Sequence, residues 1–294
     1  MRFSRFLLCG IILFLFFVIT GCSSSTRTRM MVDSMDPLMA NMNAAVNKHT
    51  DVELVKAALP AALLQLDGFI EASPDNTRLL VKAAEGYNGY SFIFVEDKSP
   101  ERAMKLYYRA FQYASRALKQ KQKFAEAFDG SRDEFKASLD VFDKEDVPAL
   151  FWTASSWLSW VGLNVDDPEI FLALPKIKAM LYRSIELDES YKYGMAHTVL
   201  GALYATRPVA HGGKPEKAKG EFDRAFEISQ RKLLLFHLMY ARYYTYQIQD
   251  RELFVSTLQE AIDAPDDLLP AMGFANAAAK RKAKSLLNDV DNIF

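Results

Sequence analysis

Apolar residues recur every three or four positions along most of the chain, the spacing that places them on one face of an α-helix. Stretches with the strict alternation of a β-strand are sparse. One pattern of three positions is repeated along the chain. Its second position lies four residues after the first, and its third lies seven residues after the first. It occurs at Ala62, Leu66, Phe69; Ala103, Tyr107, Ala110; Ile177, Leu181, Ser184; Ala218, Phe222, Ala225; and Phe254, Leu258, Ala261. We therefore predict an all-α protein built from repeated helices.

The first positions of successive patterns lie 41, 74, 41 and 36 residues apart, and 74 is twice 37. This period resembles that of tetratricopeptide (TPR) repeats, in which small residues on the second helix let paired helices pack closely. Leu200, Gly201 and Tyr204 fit the first helix of such a pair, with Gly201 at the helix crossing. The resemblance implies a TPR-like α-α superhelix of four or five helix pairs with a C-terminal capping helix. The alternative is a generic helical protein whose heptad-like spacing imitates the repeat.

Proline marks two helix starts and one turn. The segments 99–101 and 167–169 (Ser-Pro-Glu and Asp-Pro-Glu) each combine an N-cap residue, a proline at the first helical position and an early acid. Segment 73–76 (Ser-Pro-Asp-Asn) is typical of the turn between two helices. Gly212 and Gly213 are predicted to form a turn that needs positive φ, or a loop that also contacts a partner.

The N-terminus has the features of a secretory signal. Arg2 and Arg5 precede an apolar run, 6–19, of about 14 residues, whereas a membrane-spanning helix needs about 20. The run ends before Val18-Ile19-Thr20-Gly21-Cys22, which resembles the bacterial lipobox, in which the cysteine is acylated and becomes the mature N-terminus. We therefore predict a signal peptide over 1–21, lipidation at Cys22, a lipid-anchored tether over 22–36 and a helical domain over 37–294. The alternative is an ordinary signal peptide with a chance cysteine.

Cysteine content, Ser23 and net charge indicate which compartment and which classes of partner to expect. The only other cysteine, Cys9, lies in the predicted signal peptide, so the mature chain could form no internal disulfide. Ser23 resembles the sorting preference for the outer membrane, which places the protein on the periplasmic side of a Gram-negative envelope. Removal of residues 1–21 leaves 34 basic and 37 acidic residues, a net charge of −3. A nucleic-acid-binding protein would need a basic excess, so none is expected.

Four stretches resemble the T component of TRAP transporters, a periplasmic TPR-like subunit. They are Leu66–Asn76; His197–Pro208 with Gly212–Ala218; Ala241–Tyr244 with Gln249–Phe254; and Pro270–Leu287. The likeness covers roughly residues 50 to 290. It implies a partner, the substrate-binding subunit of a system that imports mostly organic acids with two ion-coupled membrane subunits. It also implies a homo-oligomer, such as a trimer, around a central passage. The family brings no catalytic residues.

No catalytic constellation or metal cluster is visible in the sequence. The four histidines, His49, His197, His211 and His237, are scattered without metal-ligand spacing, and no glycine-rich phosphate loop follows a strand. His197 and His237 lie within helical patterns and are predicted to be core or interface residues. We expect no cofactor and no metal, and a protein that is not an enzyme.

Two clusters are candidates for a ligand or partner groove. Trp152, Trp157 and Trp160 fall within an arc of about 140° on one helix, as core residues or as the lining of a groove or pore. Arg242, beside Tyr243 and Tyr244, could bind a carboxylate with two hydrogen bonds, or pair with Asp250 or Glu252 inside the array.

A third group is a basic run on the last long helix. It is predicted to be a solvated face or, alternatively, to meet an acidic partner, and it consists of Lys280, Arg281, Lys282 and Lys284.

The leading hypothesis from the sequence is a lipid-anchored TRAP T subunit that acts by non-covalent association. Solenoid repeats form extended concave surfaces and serve mainly as binding modules. The alternative from another class is a structural TPR lipoprotein that scaffolds outer-membrane or envelope assembly. An enzyme is a distant third.

Overall fold

The computed structural model describes residues 24–164, 170–206 and 213–294, and within these ranges it consists of helices and the turns between them. The all-α prediction is confirmed. The α-helices are α1 (Ser24–Ser34), α2 (Asp36–Lys48), α3 (Val52–Ala72), α4 (Thr77–Tyr90), α5 (Pro100–Leu118), α6 (Gln122–Ala127), α7 (Arg132–Ser138), α8 (Val147–Leu163), α9 (Ile170–Asp188), α10 (Met195–Ala205), α11 (Pro215–Ser229), α12 (Leu235–Met239), α13 (Arg251–Asp263), α14 (Gly273–Asn288) and α15 (Val290–Ile293). Two π-helical turns, π1 (Ser91–Val95) and π2 (Tyr240–Thr245), extend α4 and α12.

Part of the N-terminal prediction lies outside the described residues, namely the signal segment 1–21 and Cys22. From Ser24 onward, most of the segment predicted as a tether is helical, and the second half of α1 packs on the domain. Val32 is only 2% exposed, and the Asp33 carboxylate accepts hydrogen bonds from Ser73 Oγ at 2.8 Å and Asn76 Nδ2 at 2.6 Å. Three further predictions also lie outside the described residues: the helix start at 167–169, His211 and Gly212.

The repeated pattern marks the buried face of alternate long helices. Its last four occurrences lie on α5, α9, α11 and α13, and all of their side chains are at most 1% exposed. Each of these helices packs against a helical element that comes before it in the chain. These elements are, in order, α4, α8, α10 and π2. Consecutive helix pairs therefore build the domain, while their assignment to the TPR class stays a prediction.

The first occurrence of the pattern is out of register with the core. Ala62 is exposed on α3, whereas Leu63 is 4% and Ile70 is 2% exposed. The reason is position, because α3 packs against α1, α4 and α14 and leaves the Ala62 side to solvent. The prediction is therefore wrong for Ala62, whereas Leu66 and Phe69 are half-buried against the core.

The predicted helix start at 99–101 and the predicted turn at 73–76 are confirmed. Helix α5 begins at Pro100 directly after Ser99, although the Ser99 side chain makes no capping hydrogen bond. Asn76 caps α4 by accepting a hydrogen bond from the Leu79 amide at 3.1 Å. The turn at 73–76 thus separates α3 from α4 as the sequence predicts.

The C-terminal helix returns to the N-terminal helices. A Cβ atom added to Gly273, the first residue of α14, would lie 2.9 Å from the carbonyl oxygen of Lys48, so α14 and the end of α2 are in direct contact. Further along α14, Arg281 is paired with Glu53 of α3. The array is therefore closed, and elements from both halves of the sequence meet at its centre.

Candidate functional site

A cavity of about 310 Å³ lies where α4, α8, α10 and both π-helical turns converge. Its walls are mainly apolar, and Phe92 and Ile93 come from π1 while Tyr243 comes from π2. π-helical turns are rare and occur frequently at functional sites. The convergence of two of them on one cavity makes this cavity the candidate site.

Helix α8 supplies one wall of the cavity. Its sequence is apolar almost all round, which is typical of a helix buried on several sides. Trp152, Ser155 and Ser159 line the cavity, and the hydroxyl of Ser156 accepts a hydrogen bond at 3.1 Å from Asn88 of α4, which also lines it. Of the three tryptophans on α8, Trp152 is the one that lines the cavity.

Trp157 and Trp160 face another part of the molecule. The Trp157 ring lies 4.9 Å from Phe111 and is stacked on Phe128 at 5.7 Å, and Trp160 lies 5.1 Å from Tyr108. An arc of about 140° is wide enough for its two edges to meet different neighbouring helices. The three tryptophans therefore do not form one groove.

Arg242 reaches from π2 to the end of π1. Its Nη2 donates to Glu96 Oε1 at 2.6 Å, and its Nη1 donates to Asp97 Oδ1 at 3.0 Å. Lys282 of α14 donates from Nζ to Asp97 Oδ2 at 2.5 Å and to the Phe92 carbonyl at 2.7 Å. The Tyr107 hydroxyl donates to the second oxygen of Glu96. We call Glu96, Asp97, Arg242 and Lys282 the charge cluster.

Burial and pairing oppose each other in the charge cluster. Burial raises the pKa of Asp97, but Lys282 and Arg242 lower it by more. The net effect is a lowered pKa, so the carboxyl is ionised over a wider pH range than usual. Burial lowers the pKa of Lys282 despite the hydrogen bond to Asp97. Burial, together with Glu96, raises the pKa of Tyr107 well above its ordinary value, so the phenol stays a donor. Two cations and two carboxylates are thus held together beside an apolar cavity.

The pairing of Arg242 decides what the cavity can bind. Its guanidinium is engaged by two carboxylates, so it is not a free cation for a ligand carboxylate. The predicted alternative partners are wrong, since Asp250 instead caps α13 by accepting from the Leu253 amide at 2.9 Å, and Glu252 is exposed. Any carboxylate that bound Arg242 would have to compete with Glu96 or Asp97.

The two tyrosines after Arg242 point in different directions. Tyr243 lines the cavity, whereas Tyr244 is stacked on Tyr240 with ring centroids 4.9 Å apart and does not line the cavity. Tyr244 is turned by about 100° from Tyr243, and its ring lies against Tyr240 instead of the cavity. The cavity therefore brings together Trp152, Arg242 and Tyr243 and leaves out Trp157, Trp160 and Tyr244.

The C-terminal basic run is only partly a solvated face. Lys282 is 9% exposed and belongs to the charge cluster. Lys280 donates to Asp266 Oδ1 at 2.6 Å, whereas Arg281, which pairs with Glu53, and Lys284 are exposed as predicted. The i, i+1, i+2 spacing turns these residues around α14, and one of them must face the core.

Histidine burial agrees with the sequence prediction. His197 is 7% and His237 is 1% exposed. His197 lies between Glu221, at 2.7 Å from Nδ1, and Glu189, at 3.3 Å from Nε2. Across the described ranges, no three His, Cys, Asp or Glu side chains form a group that could hold a metal ion.

Sequence reasoning missed Glu96 and Asp97, the acids that organise the site. They follow directly on the apolar run 92–95; Glu96 is buried there, whereas the Asp97 side chain is 52% exposed. Asn88 was missed as well, since it lies four residues before Phe92 in an ordinary helical pattern. Their partners lie far away in the chain, so the sequence does not show the pairing.

Comparison with protein families decides the identity of the chain. A family model described as TRAP transporter T-component matches residues 48–294. This protein belongs to the TRAP transporter T-component family. The resemblance seen in the sequence is thereby confirmed for this T component. Comparison with curated proteins finds no match.

Membership places the T component among accessory subunits of a transporter, which is not a known enzyme family, and gives it a role in a TRAP system. It also implies a location in the cell envelope. In the part of the chain that the structure describes, no helix is long and apolar enough to cross a membrane.

Proposed function

We propose that this T component is a non-enzymatic, lipid-anchored subunit on the periplasmic face of the outer membrane. There it binds the substrate-binding subunit of its TRAP system by non-covalent association. The family match over residues 48–294 carries the proposal. Acylation at Cys22 would hold the protein at the membrane, and several copies, for example three, would surround a common passage.

The cavity supports a part in ligand passage. Its volume of about 310 Å³ is at the lower end of the range of small-molecule sites, about 300–1,000 Å³. Apolar walls would accept the hydrocarbon part of an organic solute. The paired state of Arg242 would keep the solute from being held by a strong ionic bond, which suits a path better than a storage site.

Binding to the substrate-binding subunit of the same organism is the first test. Isothermal titration of the purified mature proteins, with and without the transported substrate, should give a dissociation constant on the order of micromolar, about 8 kcal/mol. An unrelated periplasmic binding protein serves as the control and should not bind. An absence of binding at protein concentrations of about 100 μM in both conditions would contradict the proposal. The envelope scaffold would then become the leading function.

A further inference from the structure

Beyond its first turn, helix α5 has an exposed face with one sign of charge. Past Glu101, every charged residue on the helix is basic, and Lys119, directly after the helix, is basic as well. These residues are all exposed, and at about 100° per residue they fall within an arc of about 100° that extends for about 25 Å. We call this set the basic stripe: Arg102, Lys105, Arg109, Arg116 and Lys119.

Aromatic rings hold most of the basic stripe in place. The Arg102 guanidinium lies 6.0 Å from the centre of the Tyr90 ring, and that of Arg109 lies 5.6 Å from Tyr87. The same arrangement recurs for Arg116 over Tyr113 at 5.8 Å and for Lys119 over Phe128 at 3.8 Å. A cation over a ring face is positioned without losing its charge. The side chains therefore lose less conformational entropy when a partner binds.

The charge of the basic stripe is largely uncompensated. Among the described residues, Arg109 is the only member with a carboxylate partner, Asp67 Oδ2 at 3.0 Å. The same Asp67 also accepts hydrogen bonds from the hydroxyls of Tyr87 and Tyr113. Some exposed cations elsewhere in the domain are paired, for example Arg251 with Asp291 and Arg281 with Glu53. The stripe thus differs from the C-terminal basic run, where pairing within the chain consumes most of the charge.

An aromatic margin lies beside the basic stripe. Tyr108 is 40% exposed on the neighbouring position of α5, and its ring packs against the half-buried Trp160. Arginine, tyrosine and tryptophan are the residues enriched in protein–protein interfaces and in their energetic centres. A bare lysine-rich face would suit a membrane surface equally well, but this combination favours a protein.

We propose that the basic stripe, with Tyr108 at its margin, is the docking surface for an acidic face of the substrate-binding subunit. The inference rests on the function proposed above. Positive potential along about 25 Å of α5 would steer the subunit during encounter and set its orientation. The aromatic margin would supply the desolvated contact that slows dissociation.

Charge reversal tests the docking surface. The variant Arg102→Glu, Lys105→Glu, Arg116→Glu leaves the Arg109–Asp67 pair intact, and we expect it to bind the substrate-binding subunit at least about tenfold more weakly at low salt. Binding of the unaltered protein should weaken as sodium chloride rises from about 50 to about 500 mM. A second variant with glutamine at the same three positions should show a smaller loss of binding. It replaces the charge-reversed variant in the test if circular dichroism shows that the reversed protein folds poorly.

The matched control changes the net charge equally at other sites. Lys48→Glu, Lys136→Glu, Lys284→Glu alters three exposed lysines on α2, α7 and α14, and we expect binding within about threefold of the unaltered protein. Equal binding by the reversed and unaltered proteins would overturn the docking surface while leaving the proposed function intact. An absence of binding by the unaltered protein would instead overturn the proposed function and this inference with it.

A vesicle-binding experiment distinguishes a stripe that binds a protein from one that binds a membrane. Cosedimentation with vesicles rich in phosphatidylglycerol is measured for the same variants. If charge reversal abolishes vesicle binding but spares the substrate-binding subunit, the stripe is a membrane surface and the proposal is wrong. If reversal spares vesicle binding and weakens binding to the subunit, the proposal stands.

Discussion

Two glycines on neighbouring helices show how local contacts set the tolerance of a position. A Cβ atom on Gly201 of α10 would lie 2.7 Å from the Phe222 ring of α11, a distance that real Cβ atoms essentially never show. A Cβ atom on Gly220 of α11 would meet nothing within 4 Å. Gly201 is therefore required for close helix packing, whereas Gly220 only increases the freedom of the unfolded chain.

Gly201→Leu should be strongly destabilising. Overpacking of a well-filled core costs about 1–3 kcal/mol and occasionally more, and Phe222 is fully buried, so its ring has little room to move. Urea denaturation measures the change in the free energy of unfolding. The control Gly220→Ala should be neutral or stabilising by about 0.5–1 kcal/mol. An unchanged midpoint for Gly201→Leu would contradict the packing of α10 on α11.

At the scale of elements, the charge cluster joins parts that are distant in the sequence. Glu96 and Asp97 follow π1, Arg242 belongs to π2 and Lys282 belongs to α14. The Glu96 side chain is 9% and the Arg242 side chain is 27% exposed. Buried ion pairs stabilise little compared with apolar residues, but loss of one partner leaves an uncompensated charge. The cluster therefore favours one arrangement of the three elements around the cavity.

Arg242→Met should destabilise the protein, because Glu96 would keep only the Tyr107 hydroxyl as a partner. Removal of one member of a buried pair costs about 3–5 kcal/mol. The double variant Arg242→Met, Glu96→Gln should recover part of the loss, and thermal unfolding of both gives the coupling energy. The control Arg251→Met breaks an exposed pair and should cost less than about 1 kcal/mol. Similar losses for Arg242 and Arg251 would show that the cluster is not buried in the folded protein.

At the scale of the whole molecule, the closed array and the predicted anchor constrain each other. Helix α1 begins at Ser24, two residues after Cys22, and packs on the domain through Val32 and Asp33. Two residues span at most about 7 Å. If Cys22 is acylated, the start of α1 lies close to the membrane surface, and the domain is held near that surface.

Cys22→Ala should release the protein from the membrane or leave it unprocessed, because no acyl chain could then be attached. Cell fractionation followed by immunoblotting measures both results. Cys9→Ala, in the predicted signal segment, is the matched control and should remain anchored with mature mobility. If the Cys22 variant also stays in the membrane pellet with mature mobility, lipidation at this residue is refuted.

Helical class and buried faces could be predicted from the sequence, because they depend on residues within two turns of one another. The pattern on α5, α9, α11 and α13 and the crossing at Gly201 are examples. The first pattern, at Ala62, was placed out of register because the neighbours of α3 come from α1 and α14. Family membership was also recognisable, since it resides in the order of short segments.

The site itself was decided by tertiary structure. Arg242 is 146 positions from Glu96, and Lys282 is 185 positions from Asp97. The choice of these partners over the nearby Asp250 and Glu252 follows from the closure of the array, which places π1, π2 and α14 together. Charge pairing beside the cavity depends on contacts across the whole fold, whereas helical periodicity depends on contacts within a few residues. For this reason the sequence alone determined the helices and their buried faces, and only the tertiary structure decided which charges are paired and which remain free.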